Sequence, residues 1–400
     1  MTMLFMKKKY QLERFFVTWL MILFMILTDA FTAFAQVKQA TFLVNGISCD
    51  LEQGILKVEF VTPDVVRVQY TGENTFIGNG TDVCLPRAVD NPVRWVYTPN
   101  PDCYLLKSDS LIVRVDLSTA SITYLDKEGG LLLQEDQNIP RISEKRVTKQ
   151  VIYDEHSKHI EKTADGDKEI KNVLRYDTIG HTWKYRINFK WQPLEALYGW
   201  GAHMEDYMNL RGKELYLCQH NLKAMVPVLN STAGYGLLFD AGCAMMFKDN
   251  SEGSFVELEA AKQIDYYFMK GKTMDAVVAN YRLLTGNSPM MPLYLFGYIQ
   301  SKERYVSSDD LINTLKEYRQ RQIPIDMIVQ DWNYWPEGQW GNMSMNPKFY
   351  PDKRKLADEI HSLHAKLMIS IWPNAMNCPQ HEEFRRKGWL LSGTDRKSVV

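Results

Sequence analysis

The sequence has no surplus of positive charge, few cysteines and, after its first 35 residues, no apolar run long enough to cross a membrane. Its 47 basic and 48 acidic residues give a formal net charge of −1. Since nucleic-acid binding depends on a basic surface that neutralises phosphates, no nucleic-acid partner is expected. Apolar residues make up 45% and charged residues 24% of the chain, which excludes a wholly disordered protein. At roughly 100–200 residues per domain, the length allows two or three domains.

The six cysteines are too sparse for a disulfide scaffold. None belongs to a C-x-x-C pair, which argues against a zinc ribbon or a thioredoxin-type redox site. We expect most of them to be buried single thiols. A bridge between Cys84 and Cys103 stays open if the compartment is oxidising.

The first 35 residues have the three parts of a secretory signal peptide. A basic segment at residues 7–14 precedes the apolar run Phe15–Leu27, and Ala33-Phe34-Ala35 forms an A-x-A cleavage site. The alternative is a membrane anchor, but the run has 13 residues and a spanning helix needs about 20. The pattern predicts cleavage after Ala35, a secreted or periplasmic protein, and no stable membrane insertion after cleavage.

Residues 36–285 have the alternating pattern of antiparallel strands. Leu56, Val58 and Phe60 alternate with polar residues, and so do the apolar residues between Trp183 and Trp191. Such runs, separated by short Gly, Pro or Asp turns, indicate a β-sandwich. Residues 143–172 are mostly polar, and we interpret them as a solvated hairpin or loop rather than a binding patch.

The pattern changes near residue 275. A helical pattern over Met274–Leu284 is followed by the helix breakers of Gly286–Pro289, and from residue 291 strands and helices alternate. This order predicts a parallel sheet or a (β/α) barrel. The predicted strands are Leu293–Ile299, Ile325–Val329 and Leu367–Ile371, and the predicted helices are Ser307–Arg321 and Asp352–His364.

Aromatic and acidic residues follow the predicted strands. The second strand leads into Gln330–Trp335, which contains an aspartate and two tryptophans, and the third leads into Trp372-Pro373-Asn374. In (β/α) barrels the active site lies at the C-terminal ends of the strands. A carboxylate can accept hydrogen bonds from sugar hydroxyls while an indole covers the apolar face of the ring. The alternative is a barrel rim packed with aromatic residues, in which the aspartate caps a loop.

The chain resembles glycoside hydrolase family 31, which includes α-glucosidases, α-xylosidases and some α-galactosidases. The resemblance implies a mainly antiparallel, galactose-mutarotase-like β-sandwich at 36–285, followed by the first half of a (β/α)8 TIM barrel at 291–400. The blocks that resemble the barrel are GYIQSKERY (297–305), IPIDMIVQDWNYW (323–335), WG (340–341), FYPD (349–352) and LMISIWP (367–373), and those that resemble the sandwich lie at 198–221 and 227–240.

The resemblance also implies a set of sugar-binding residues. Asp331 would bind sugar hydroxyls in the −1 subsite, Trp332 and Trp335 would shape that subsite, and Trp372 would line it. A sandwich loop within 203–221 would contribute to the pocket. Its candidates are His203 and Asp206, together with Glu205 and Tyr207, although many members have a Glu where Ala202-His203 stands here.

The activity that the resemblance implies is retaining hydrolysis of α-xylosyl or α-glucosyl residues at the non-reducing ends of oligosaccharides, with α-galactosides ranked lower. Two carboxyl groups suffice for this chemistry, so no cofactor is expected. Members of the family use two aspartates, after strands four and six. A full barrel takes about 250 residues, and only 110 lie between Met291 and Val400. We therefore expect the catalytic pair beyond Val400, with no catalytic residue within the chain and no activity of the chain alone. A non-catalytic carbohydrate-binding protein, a degenerate fragment and a structural β module remain as alternatives.

Overall fold

The structure is a computed structural model that describes residues 36–78, 83–85, 92–163, 166–372 and 378–390. The predicted signal peptide, Pro373 and Asn374 lie outside the described residues. The described chain divides between Asn287 and Ser288 into two compact units, the sandwich unit and the barrel unit. No helix within the described ranges is both long and apolar enough to cross a lipid bilayer.

β-Strand is the predominant regular secondary structure of the described chain. The strands are β1 (Val37–Phe42), β2 (Gly46–Leu51), β3 (Ile55–Thr62), β4 (Val65–Thr71), β5 (Trp95–Thr98), β6 (Cys103–Ser108), β7 (Leu111–Asp116), β8 (Ile122–Asp126), β9 (Leu131–Glu135), β10 (Arg141–Tyr153), β11 (His159–Thr163), β12 (Gly166–Ile170), β13 (Val173–Lys190), β14 (Leu197–Ala202), β15 (Glu214–Leu217), β16 (Ala224–Ser231), β17 (Tyr235–Phe239), β18 (Met245–Asn250), β19 (Gly253–Ala261), β20 (Ile264–Lys270), β21 (Ile299–Gln300), β22 (Met327–Gln330) and β23 (Lys366–Ile369).

The sandwich unit consists of two large antiparallel sheets. One has the strand order β1-β2-β3-β4-β20-β17-β16-β14. The other has the order β15-β18-β19-β13-β9-β8-β7-β6-β5, with β10 beside β13. The alternating pattern at Leu56, Val58 and Phe60 predicted β3 correctly, because one face of that strand packs into the core and the other does not.

Aromatic side chains from both sheets meet in the sandwich core. The rings of Tyr124 on β8 and Phe268 on β20 are stacked with centroids 3.9 Å apart. The Tyr124 and Tyr266 hydroxyl oxygens lie 3.0 Å apart, and the Tyr266 hydroxyl donates to Glu135 Oε1 at 3.1 Å. Glu135 is fully buried and also pairs with Arg141, so the buried charge is compensated.

A long hairpin extends from the second sheet. Strands β10 and β13 pair from Arg141 opposite Ile187 to Tyr153 opposite Val173, and the short β11–β12 hairpin lies between them in sequence. Residues 143–172, interpreted from the sequence as a solvated hairpin or loop, contain most of β10 and the β11–β12 hairpin, so the hairpin is the alternative that the structure shows. All six cysteines are present as thiols, so the bridge considered between Cys84 and Cys103 is not formed.

Helix α1 (Met274–Thr285) follows the last sandwich strand. The Thr273 side chain caps it by accepting a hydrogen bond from the amide of Ala276 at 3.2 Å. Its buried residues Val277 and Leu284 pack in a small cluster with Leu238 of β17. The helical pattern at 274–284 thus predicted both the helix and its ends to within a residue.

The barrel unit has three parallel strands with helices between them. Strand β22 is central, with β21 on one side and β23 on the other. The helices are α2 (Ser308–Gln320), α3 (Lys353–Ser362) and α4 (Gln380–Arg386). The first of these helices buries an apolar stripe at Leu311, Ile312 and Leu315.

One predicted strand is wrong. Residues Leu293–Phe296 form a 3-10 helix that starts after Pro292, and the strand contains only Ile299 and Gln300. A short apolar run does not distinguish a strand from a helical turn by its pattern alone. Leu293 and Phe296 are 87% and 74% exposed, so the apolar character of this run does not reflect burial in the sheet.

Candidate functional site

The C-terminal ends of the three parallel strands meet at one edge of the barrel sheet. Gln300 is paired in register with Ile328, and Gln330 with Ile369. The segments that follow Gln300, Gln330 and Ile369 therefore leave the sheet side by side. This strand-end site is where a (β/α) barrel places its chemistry.

Four indole rings pack together at the strand-end site. Trp332 is the centre of this tryptophan cluster, with ring centroids 5.4 Å from Trp372, 5.5 Å from Trp340 and 6.3 Å from Trp335. The rings of Trp332 and Trp372 are stacked, and that of Trp340 meets Trp372 edge-on at 5.5 Å. The structure thus brings together three predicted residues from two strand ends, and it adds Trp340.

The four rings differ in what they offer to a ligand. Trp335 is buried, with 5% of its surface exposed, and supports the rings around it. Trp372 is 38% exposed and presents the most open indole of the cluster. Trp332 and Trp340 are half-buried. Trp340 was not predicted as a site residue, although it lies in the short WG block; the loop that brings it back to Trp332 could not be inferred from the sequence.

The Asp331 carboxylate lies at the end of β22 and is half-buried. Within the part of the chain that the structure describes, this carboxylate accepts no hydrogen bond and forms no ion pair. Its lone pairs are therefore available to hydroxyl donors of a ligand. This placement fits the predicted role of Asp331 as a binder of sugar hydroxyls, which stays a prediction.

A buried polar network fixes the strand ends from behind. The Gln330 side chain is fully buried, and its Nε2 donates to the carbonyl oxygens of Tyr305 at 3.0 Å and Asp331 at 3.1 Å. The Tyr350 hydroxyl lies 2.8 Å from the same Tyr305 oxygen and 2.9 Å from Gln330 Oε1. Burial, reinforced by the charge of Asp310, raises the pKa of Tyr350 to about 12. The hydroxyl therefore keeps its proton and remains a donor at neutral pH.

The other two predicted residues, His203 and Asp206, lie in the sandwich unit. His203 is half-buried, and its Nε2 lies 2.6 Å from the carbonyl oxygen of Trp200. Asp206 is exposed. Their part in sugar binding remains a prediction. Within the described ranges, no group of three or more His, Cys, Asp or Glu side chains could hold a metal ion.

A β-bulge in β14 shapes the segment that leads to His203. Trp200 has φ = 62°, and the pairing of β14 with β16 shifts register between Gly199 and Gly201. A Cβ on Gly201 would come within 1.9 Å of the Ala224 carbonyl oxygen, so only glycine fits there. The bulge turns Trp200 fully into the core, against Phe239 and Phe247.

Comparison with known families covers both units. The sequence model described as the glycosyl hydrolases family 31 TIM-barrel domain matches residues 288–400. The model described as the glycosyl hydrolase 31 N-terminal galactose mutarotase-like domain matches residues 55–247. The chain belongs to glycoside hydrolase family 31. The predicted fold class, a galactose-mutarotase-like sandwich followed by part of a TIM barrel, is confirmed.

The alignments with relatives cover more than half of this chain but less than half of each relative. An α-xylosidase of Saccharolobus solfataricus is 28% identical over 349 residues, which are 85% of this chain and 43% of that protein. An uncharacterized family 31 glucosidase of Pseudescherichia vulneris is 30% identical over 218 residues, or 53% of this chain and 40% of that one. The chain thus spans less than half the length of these relatives.

Solved structures of the family share the fold. A family 31 α-xylosidase from Xanthomonas citri superposes with a TM-score of 0.69 at 20% identity, over 87% of this chain and 51% of its own. A family 31 dextranase from Flavobacterium johnsoniae, complexed with isomaltotriose, gives a TM-score of 0.70 at 20% identity, over 88% of this chain and 41% of its own.

Proposed function

We propose that the protein to which this chain belongs is a retaining α-glycoside hydrolase acting on α-xylosyl or α-glucosyl residues at the non-reducing ends of oligosaccharides. The family membership supports glycoside hydrolysis, and the relatives include proteins named α-xylosidase and glucosidase. We also propose that the protein is secreted or periplasmic, on the strength of the signal-peptide pattern in residues 1–35.

One observation carries the proposal: an uncommitted carboxylate beside an open indole at a barrel strand end. Asp331 has no partner among the described residues, and Trp372 exposes its ring nearby in the same cluster as Trp332. A pyranose has hydroxyls around its rim and an apolar face of C–H groups. Asp331 accepts hydrogen bonds from the hydroxyls while the tryptophan cluster covers the apolar face.

The test is sugar binding by this chain and by Asp331→Asn. Titration with D-xylose, D-glucose and D-galactose is followed by calorimetry and by tryptophan fluorescence, to which the cluster contributes. Hydrogen bonds to a charged group contribute about 1.5–3 kcal/mol, so Asp331→Asn is expected to weaken binding by roughly 10- to 100-fold. Asp309→Asn, an exposed aspartate in the first turn of α2, is the matched control and should bind like the unaltered chain.

The outcomes separate the candidate functions. Binding of xylose or glucose that depends on Asp331 supports the proposal, and stronger binding of galactose would shift the substrate to α-galactosides. Hydrolysis of 4-nitrophenyl α-D-xyloside and α-D-glucoside is then assayed on the whole protein to which this chain belongs, because the chain alone is expected to be inactive. Sugar binding by that protein without hydrolysis favours the carbohydrate-binding alternative. No binding of any of the three sugars contradicts the proposed role of the strand-end site.

A further inference from the structure

Arg304 is a charged residue at the strand-end site. It was not among the sugar-binding residues predicted from the sequence. Its guanidinium carbon lies 5.5 Å from the centroid of the Trp332 ring. The residue is half-buried, yet within the described part of the chain it donates no hydrogen bond and forms no ion pair. Its nitrogen atoms still reach the surface. An arginine that is held in place but has unused donors is available to a ligand.

The other arginines of the barrel unit near α2 do not share this property. Arg319 donates to three backbone carbonyls, those of Leu363 at 2.8 Å, Ile325 at 2.7 Å and His364 at 3.0 Å. Arg321 pairs with Glu317 one helical turn away. These two side chains stabilise the fold through their own contacts. Arg304 lies against the Trp332 ring and donates no hydrogen bond within the described residues, so its donors stabilise no other part of the described fold.

The backbone beside Arg304 is fixed. Tyr305, the next residue, is 1% exposed. Its carbonyl oxygen accepts from Gln330 Nε2 at 3.0 Å and lies 2.8 Å from the Tyr350 hydroxyl. The same Gln330 side chain also bonds the backbone of Asp331. One buried network therefore sets the positions of both the arginine and the aspartate.

The charges at the site favour a neutral ligand. Arg304 and Asp331 carry opposite charges, and they do not pair with each other. Lys302 is already paired with Asp310, with the Lys302 Nζ atom 3.5 Å from the carboxylate. An acidic sugar would bring its own carboxylate next to that of Asp331, which has no partner among the described residues. A neutral sugar instead offers hydroxyl oxygens to Arg304 and hydroxyl hydrogens to Asp331.

We propose that Arg304 is a substrate-binding residue of the strand-end site, which donates hydrogen bonds to a hydroxyl oxygen of a neutral sugar while Asp331 accepts from a neighbouring hydroxyl. This inference rests on the proposed function and adds a specificity determinant to it. The arginine selects for a ligand with an acceptor at the position opposite Asp331. The contact with Trp332 holds the guanidinium in the orientation that this requires.

The experiment compares Arg304→Met, Arg304→Lys and the unaltered chain in titrations with D-xylose, D-glucose and D-glucuronate. Arg304→Met keeps much of the side-chain length and should weaken binding of the neutral sugar at least tenfold. Arg304→Lys keeps the charge, loses the planar fork and should lie between the two. Arg321→Met is the matched control and should bind normally. Thermal unfolding of each variant reports whether it is folded.

Each outcome has one meaning. Weaker binding of xylose or glucose by folded Arg304→Met supports the inference. Equal binding by both Arg304 variants, with Asp331→Asn impaired, overturns the inference and leaves the proposed function standing. Tighter binding of glucuronate than of the neutral sugars overturns the assignment of a neutral ligand. Failure of the unaltered chain to bind any sugar contradicts the proposed function and this inference together. If Arg304→Met does not fold, the binding of xylose or glucose by Arg304→Lys is compared with that of the unaltered chain instead: weaker binding supports the inference, and equal binding overturns it.

Discussion

At the scale of single residues, the partners of a carboxylate decide what it does. Asp331 has none among the described residues and is open to a ligand. Glu257 in the sandwich is fully engaged: Lys184 Nζ lies 2.5 Å from one of its oxygens, and Arg186 donates to the other at 2.8 and 3.0 Å. Burial raises the pKa of Glu257, but the bonds from Lys184 and Arg186 outweigh it and leave the pKa below the usual 4.5.

The lowered pKa of Glu257 predicts a pH-dependent contribution to stability. A group whose pKa is lower in the folded state stabilises the protein above its unfolded pKa, and this contribution is lost as the pH falls through the folded pKa. The free energy of unfolding of the unaltered chain should therefore exceed that of Glu257→Gln at pH 7, and the difference should shrink below about pH 4.5. Urea unfolding followed by circular dichroism at several pH values measures it.

The control for this prediction is Glu252→Gln. Glu252 is exposed in the turn between β18 and β19, and its side chain has no partner among the described residues. Its substitution should give no pH-dependent difference in this range. A difference between Glu257→Gln and the unaltered chain that stays constant from pH 7 to pH 3.5 would contradict the assignment.

At the scale of elements, the ends of strands are held by side chains from distant segments. Tyr350 follows β22 by 20 residues, yet its hydroxyl oxygen lies 2.9 Å from Gln330 Oε1 at the strand's last position and 2.8 Å from the carbonyl oxygen of Tyr305 after β21. These contacts connect the end of β21 to the end of β22, although helix α2 separates the two strands in sequence. They also explain why a two-residue strand such as β21 is sufficient: the buried network, rather than a long ladder, fixes the segment after it.

Tyr350→Phe should loosen the strand-end site. The substitution leaves Gln330 Oε1 without its donor in a buried position, which costs about 1–3 kcal/mol of unfolding free energy. Sugar affinity should also fall, since the network positions Arg304 and Asp331. Tyr334→Phe is the matched control, because Tyr334 is equally buried but its hydroxyl has no hydrogen bond among the described residues. Denaturant unfolding and sugar titration measure both effects, and equal stability of the two variants would refute the role of the network.

Local signals predicted α1, α2 and α3 well, but they predicted the first barrel strand poorly and α4 was not predicted. Ser307 and Asp352 cap α2 and α3 by accepting from the amides of Asp310 at 3.2 Å and Lys355 at 2.9 Å. Asp310 adds a second contact at the start of α2, because its carboxylate accepts a hydrogen bond from the amide of Val306 at 3.1 Å. These contacts join residues at most four positions apart, so they can be recognised from the local sequence. The 3-10 helix at Leu293–Phe296 replaces a predicted strand because a short apolar run fits either structure.

At the scale of the whole molecule, the two units differ in how their sheets are supported. Strand β17 lies inside an eight-stranded sheet and has five buried residues. Strand β22 is also central and fully buried, but its sheet has three strands in the described residues, and its neighbour β23 is largely exposed. The two strands are therefore equally buried, but the sheet around β17 has more strands than the sheet around β22.

Hydrogen exchange should show that the barrel unit opens more readily than the sandwich unit. The amides of β22 are expected to exchange faster than those of β17, because fewer strands must separate to expose them. Exchange followed by mass spectrometry of peptides covering 327–330 and 235–239 measures this under native conditions. Identical protection of the two strands would mean that the units unfold together and would contradict the prediction.

The sequence alone determined the fold class. It also predicted that Asp331, Trp332, Trp335 and Trp372 follow the C-terminal ends of two barrel strands. Alternation of period two, helical stripes and caps are set by neighbours in the chain, and they can be recognised without coordinates. The resemblance at 297–373 then ordered the barrel strands, and in a parallel sheet their carboxyl ends meet at one edge.

Only the tertiary structure decided which of these groups are open to a ligand. It placed Trp340 in the cluster, buried Trp335 beneath it and left Trp372 exposed. It also set Arg304 over Trp332 with its donors unused. These facts depend on contacts between residues up to 40 positions apart, made by irregular loops whose paths have no periodic signal. The chemistry of each side chain is local, whereas its availability depends on what the folded chain packs against it.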